Sequence, residues 1–374
     1  MGRRKAFSAL GSVLVLFAGW PCAAQDQRPA PRSMRFKMHS YMDRQGIGTE
    51  AFRLLVPAGW RFQGGIQWTL QSPAMPAIAA FTVTSPDGTS ELEVFPNELY
   101  TWNTSPQFMQ MFPRGSRYLG SVVLPPMTPG DYARQVLLPR HRRGVKDLRI
   151  VQTEAMPDLA RAHQATQPPN PYAQTAVHAA RVRVEYGRNG QPAEEEVYAV
   201  IQTVNLPMQT LYGVVQNRIW TPDCLFAFRA RRGALAGQRK VFETMVRSFK
   251  LNPQWYSKYN QVVTFLTQQK IQQIRHIGQI SRIVSQTSNE ISDMIMSSYE
   301  KRQKVYDRLA TDFSRTTRGV EGYVNPATQT KVELPNGYGH AWSTGAGEYV
   351  LTDDPTYDPN RDSQVRWNRL DKDR

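Results

Sequence analysis

Two tight-turn signals lie between runs of alternating apolar and polar residues, and they restrict the fold more than any other feature. Ala79-Ala80-Phe81-Thr82-Val83-Thr84 and Ser90-Glu91-Leu92-Glu93-Val94-Phe95 flank Ser85-Pro86-Asp87-Gly88, while Val177 to Tyr186 and Glu195 to Val204 flank Arg188-Asn189-Gly190. Asp-Gly and Asn-Gly suit the two-residue turns whose twist matches paired strands, so both stretches are predicted as hairpins. Further strands are predicted at Ala51–Val56, Gly64–Leu70, Leu148–Thr153, Gln209–Arg218 and Cys224–Ala230. Helical periodicity covers Asp131–Leu138, Met156–Gln164 (before Pro168-Pro169-Asn170-Pro171) and Val241–Phe249. Strands gathered around few helices indicate an α+β class, an antiparallel-sheet sandwich with packing helices, rather than βαβ alternation.

The order of these elements carries a resemblance. An opening strand ending in Val56-Pro57-Ala58-Gly59-Trp60, an early Asp-Gly hairpin, and a last strand feeding a helix that ends in Ser248-Phe249-Lys250 resemble the PsbP-like α/β/α sandwich over residues 48–252. Proteins of that fold are mostly small accessory or assembly factors without catalytic residues, so the resemblance implies binding rather than chemistry. It transfers no site residue, because no position matches individually.

The first 24 residues read as a signal peptide. Arg3, Arg4 and Lys5 precede the apolar stretch Ala6 to Gly19, and Cys22-Ala23-Ala24 supplies small side chains for cleavage. The stretch falls short of the about 20 residues needed to span a bilayer, and no other stretch approaches that length. Sec-type export to the periplasm or beyond, with no transmembrane anchor, is the expectation. Gly19-Trp20-Pro21 lacks the pattern of a lipobox, so Cys22 is expected to leave with the leader. Cys224 then remains, sharing a strand face with Phe226 and Phe228, and reads as a buried structural thiol. Residues 25–48 follow as a flexible tether, polar and marked by Pro29 and Pro31. The sandwich domain is assigned to 49–252.

From 253 to 318 the composition changes, becoming rich in Gln, Ser and Ile. A three-four seam collects Tyr259, Val263, Leu266, Ile274, Ile277, Val284, Ile291 and Ile295, with polar interruptions at Lys270, Ser281, Ser288, Ser298, Arg302 and Asp312. Val262, Ile271, Ile280 and Ile283 widen the apolar face, which suits bundle packing. One uninterrupted helix would run about 90 Å; a capping box at Thr287-Ser288-Asn289-Glu290 offers a helical hairpin instead. The Ile-rich face either packs back on the sandwich or meets an envelope protein or a second copy of the chain. Residues 319–374 then read as a small β meander with an acidic, charged tail, too small to be stable without packing.

Chemical motifs are sparse. No two of His39, His141, His163, His178, His276 and His340 have the spacing of a helical zinc site. Asp358-Pro359-Asn360-Arg361-Asp362 places oxygens at alternate positions as calcium loops do, but Ser363 stands where glycine is needed and Arg369 where glutamate is needed. Nucleophile elbows and phosphate-cradling glycine loops are missing from the sequence. Glu194-Glu195-Glu196 and Asp353-Asp354 are neighbours whose side chains are expected to point apart or into water.

Charge is the remaining lead. Lysine and arginine total 46 against 31 acids, a formal +15, and two stretches concentrate the excess. Arg140, Arg142, Arg143 and Lys146 lie in the first; Arg229, Arg231, Arg232, Arg239 and Lys240 lie in the second. Such clusters suit an anionic lipid or polymer surface or an acidic protein, or are simply a solvated face; nucleic acid does not suit an exported chain. The expectation is a non-catalytic envelope protein, with no cofactor, that binds or assembles through its long helix and basic clusters. The alternatives are an envelope hydrolase, which predicts a cleft with convergent carboxylates of perturbed pKa, and a secreted effector.

Overall fold

Alternating burial along the chain builds two sheets. The computed structural model describes residues 33–69, 72–165, 173–210, 213–267, 293–313, 320–326, 328–335 and 338–372. Its strands begin with β1 (Ser33–Met42), β2 (Glu50–Pro57), β3 (Arg61–Trp68), β4 (Ala77–Thr84), β5 (Glu91–Val94) and β6 (Tyr100–Asn103). Then come β7 (Arg117–Tyr118), β8 (Ser121–Val123), β9 (Lys146–Ala155), β10 (Gln174–Arg188), β11 (Gln191–Thr210) and β12 (Gly213–Arg231). The last are β13 (Lys250–Leu251), β14 (Val320–Val324), β15 (Lys331–Pro335), β16 (His340–Ser343), β17 (Glu348–Thr352) and β18 (Asn368–Lys372). One sheet runs β13-β2-β1-β17-β16-β18-β14-β15, and the other runs β3-β4-β5-β12-β11-β10-β9, with β6, β7 and β8 attached beside β12.

Among the described residues seven helical segments and one π turn fill the gaps. They are α1 (Pro106–Met111), α2 (Pro129–Tyr132), a π turn (Ala133–Leu137), α3 (Leu138–His141), α4 (Pro157–Gln164), α5 (Leu235–Arg247), α6 (Pro253–Thr267) and α7 (Asp293–Phe313). The Asn-Gly hairpin forms as predicted, with Asn189 and Gly190 both at positive φ between β10 and β11. The second sheet is buried on both faces along its central strands. Tyr198, Val200, Phe226 and Phe228 face Phe52, Leu54, Phe242 and Met245, whereas Val197, Ala199, Ile201 and Trp220 face Tyr100, Tyr132, Leu137 and Leu138. Burying a side chain of this size contributes about 1.5–3 kcal/mol, which is why a strand this acidic at its start can still be central.

The expected fold class is corrected by these proportions. Strands take 47% of the residues and helices 24%, in two curled, mainly antiparallel sheets, and the described residues contain no long helix or helical hairpin. The described part of the apolar stretch that suggested one lies in the core: Trp255, Val262 and Leu266 of α6 and Val305 of α7 join the main cluster. Periodicity signals an apolar face without saying what covers it. Of the expected tether, residues 33–42 form β1, paired with β2 on one side and β17 on the other. The C-terminal strands therefore belong to the first sheet rather than to a separate meander, and the described residues from Ser33 onward fall in one compact unit. The strand predicted at 209–218 spans the end of β11 (to Thr210) and the start of β12 (from Gly213), while the one at 224–230 is the later part of β12, past a bulge near Cys224. The expected signal peptide (1–24) and residues 25–32 lie outside the described residues.

Candidate functional site

The basic clusters are mostly closed on acids from distant strands. Arg140 bonds Glu98 at 2.8 Å, Arg229 meets Glu91 at 2.7 Å and Arg232 meets Glu185 at 2.8 Å. Arg239 reaches Glu196 at 3.3 Å, Lys240 reaches Asp353 at 2.6 Å, and Arg231 stands 3.7 Å from Asp87. Arg142 is buried between two glutamates. Only Arg143 and Lys146, of the nine cations proposed for an anionic surface, are exposed without a carboxylate in ion-pair range among the described residues. Local charge counting could not find these partners, because each lies dozens of residues away.

The three consecutive glutamates of β11 do point apart, as alternation requires, but into protein rather than water. Glu195 is 0% exposed and accepts Arg142 Nε at 2.8 Å and the Tyr186 hydroxyl at 2.6 Å. Arg142 Nη2 also bonds Glu195 and reaches Glu93 at 2.7 Å, so one guanidinium bridges two carboxylates. Burial opposes the charge on Arg142, and the Glu195 and Glu93 charges more than offset it. Glu93 goes the other way, its pKa raised by burial against the pull of Arg142. Beside them His141 is pushed down to about 4, first by burial and then by Arg142 and Arg140. On the opposite face Glu194 accepts the Gly233 and Leu235 amides at the start of α5, an anion on a helix N-terminus. Glu196 accepts the Tyr198 hydroxyl at 2.8 Å.

The helix-face residues divide. Tyr259 stacks on Trp255, Leu266 is fully buried and Val263 is half-buried, so α6 turns this stripe inward. Ile274, Ile277, Val284 and Ile291 lie outside the described residues; Ile295 belongs to α7, but its side chain lies outside them too. Among the described residues no group of three or more His, Cys, Asp or Glu is placed to hold a metal. In the acidic turn, Asp354 and Asp358 accept the amides two residues on, those of Thr356 and Asn360. The carboxylates brace their own turns.

An unanticipated feature lies along the edge of the second sheet. β9 ends opposite Ala180, but β10 continues back to Gln174, so residues 174–179 overhang their neighbour. The Met156 amide donates to the Ala179 carbonyl at 2.9 Å, which fixes the side toward which Ala179 presents its backbone. Alternation along an antiparallel strand aims Val177 and Thr175 the same way. Their amides and carbonyls meet no partner on that side among the described residues. Alongside runs a groove of about 630 Å³, walled by Pro129 and Gly130, by Ala160 and Gln164 of α4, and floored by Val177 and Ala179. β10 and β11 stay in unbroken register through this stretch. The outer edge of β9 itself is different, with two register breaks, Asp147 at positive φ and charged side chains, the features that discourage strand addition. The overhang carries none of them: Gln174-Thr175-Ala176-Val177-His178-Ala179 has no Lys, Arg, Asp or Glu. The sequence signal that could have found it is Thr175-Ala176 before Val177, uncharged residues that extend the predicted strand.

No protein-family model and no curated protein sequence matches the chain. Among the described residues no helix is long and apolar enough to cross a membrane.

Proposed function

We propose that the protein is a non-catalytic binding or assembly factor, exported to the cell envelope by its leader, that receives an extended segment of a partner protein along residues 174–178 of β10. The observation that carries this reading is the uncharged strand overhang, whose outward backbone donors and acceptors meet no partner among the described residues and open onto a groove. Exposed main-chain groups at strand spacing recognise main chain, and adjoining pockets select side chains at alternate positions. The lining mixes small residues, Pro129, Gly130 and Ala160, with the polar Thr128, Arg161 and Gln164, and so selects small side chains, apolar or hydrogen-bonding, facing α4. The partner is thus assigned to a sheet edge, since the described part of the Ile-rich helical face is buried in the core and the basic clusters are largely internally neutralised. The PsbP-like resemblance points to the same class of role.

The test uses a displayed library of random seven-residue peptides panned against the full-length chain. Peptides recovered on the wild type should bind at least tenfold more weakly to Val177→Pro, which removes one outward-facing amide while proline remains compatible with an edge strand. Val177→Ala keeps that amide and should retain binding. Equal binding to Val177→Pro, with its fold verified by circular dichroism, or a library that yields no binder, would overturn the proposal.

A further inference from the structure

A second ligand site is marked by the bulge in β12. Tyr198 pairs with Phe226, but Val200 pairs with Asp223, so Cys224 and Leu225 together oppose one residue of β11. Cys224 takes φ of 49°, a left-handed conformation that a residue with a side chain adopts only under constraint. Bulges and such strained residues concentrate beside binding sites, where they re-aim a side chain. Here the bulge borders a cavity of about 110 Å³ between the sheets, walled by Phe81, Leu92, Met245 and Phe249, with Asn97 and Tyr306 among its polar lining.

The polar groups define what the cavity can accept. Asp223 is saturated: its oxygens receive Asn97 Nδ2 at 3.3 Å, the Cys224 amide at 2.8 Å and Arg302 Nη1 at 3.1 Å, with His163 Nε2 at 3.0 Å. Burial acts to raise its pKa, yet Arg302 and the His163 contact hold it well below the usual carboxylate range. An ionised carboxylate already matched by a guanidinium asks for no charge from a ligand. Burial and the Asp223 charge raise the Cys224 thiol, which stays protonated and unreactive. Asn97, oriented by its bond to Asp223, keeps its carbonyl oxygen as an acceptor, and the protonated Tyr306 hydroxyl offers a donor. An apolar cavity of roughly 150 Å³ accommodates benzene in another protein; this space is smaller, at about 110 Å³, and admits at most one small ring or a short chain. We propose that it binds a small neutral molecule, an apolar ring or short chain carrying one hydroxyl or carbonyl group.

Phenol is the probe, titrated calorimetrically into the full-length chain, with benzoate as its charged counterpart. One saturable site for phenol is expected, with benzoate at least tenfold weaker. Ala79→Leu, which extends a lining side chain into the space, should weaken phenol by at least tenfold without lowering the melting temperature. Leu92→Phe fills the same cavity from another strand and should do likewise. Absence of a saturable phenol site in the wild type overturns the proposal whatever the variants do. So does unchanged phenol affinity in either folded variant, or benzoate binding as tightly as phenol.

Discussion

Asp43→Ala is expected to destabilise the protein by about 4 kcal/mol. Asp43 is 1% exposed and gathers four donors on one carboxylate. The Gly46 and Ile47 amides bond it at 3.1 Å, as does Trp68 Nε1, and Trp255 Nε1 at 2.8 Å. Hydrogen bonds to a charged group contribute about 1.5–3 kcal/mol each but do not add, and stranding buried donors costs their full desolvation. Alanine would strand two indoles and two amides at the junction of β1, β3 and α6. The expected readout is a fall in melting temperature of roughly 6–10 °C, with a change in tryptophan fluorescence as Trp68 and Trp255 lose their anchor. Gly46 belongs to the same junction: a Cβ there would lie 2.0 Å from Trp68 Nε1, so Gly46→Ala should displace the indole and weaken the same bonds. A loss below 1 kcal/mol for Asp43→Ala, in urea unfolding, would show that the junction does not depend on this carboxylate.

Arg142→Met is the second large effect, expected at about 3–5 kcal/mol at neutral pH, because it leaves Glu195 and Glu93 without their shared cation in a buried site. The triple variant Arg142→Met, Glu195→Leu, Glu93→Leu should recover most of that loss, since hydrophobic replacement of a complete buried ion cluster is often neutral or stabilising. The deficit of the single variant depends on pH in a direction set by Glu93. Its folded pKa already lies above the ordinary carboxylate value because the site is buried, and removing Arg142 takes away the interaction that opposes burial. A carboxyl that binds its proton more tightly when folded contributes stability that is complete below its unfolded pKa and is lost as pH rises through the folded one. The penalty for Arg142→Met should therefore shrink toward pH 4 and widen toward pH 7. Urea unfolding across that range checks it; a deficit independent of pH would remove Glu93 from the explanation.

Much of the second sheet was legible in the sequence, because long runs rich in β-branched and aromatic residues, two of them joined by Asn-Gly, announce themselves. β1 was not, since Phe36, its most buried residue, stands between Arg35 and Lys37 after a proline- and arginine-bearing stretch. Its pairing with β17 joins residues some three hundred positions apart, and no local pattern encodes that. The same separation hid the ion pairs. Arg142 meets Glu195 across 53 positions and Lys240 meets Asp353 across 113, so stretches that read as basic are largely neutral in space. The helical seam was real in α6, but its periodicity could not reveal that Val262 and Leu266 would be buried against the chain itself. The edge of β10 escaped notice for another reason: a strand is visible in sequence, but the point at which its neighbour stops is not.

Amide hydrogen exchange along β10 tests the central claim most directly. In the free full-length protein, Thr175 and Val177 should exchange within seconds, whereas Ala176 and His178, whose amides point toward β11 by alternation, should be protected many-fold. A selected peptide should slow Thr175 and Val177 alone. Strong protection of those two amides in the free protein would mean that the edge is already covered, and would contradict the account.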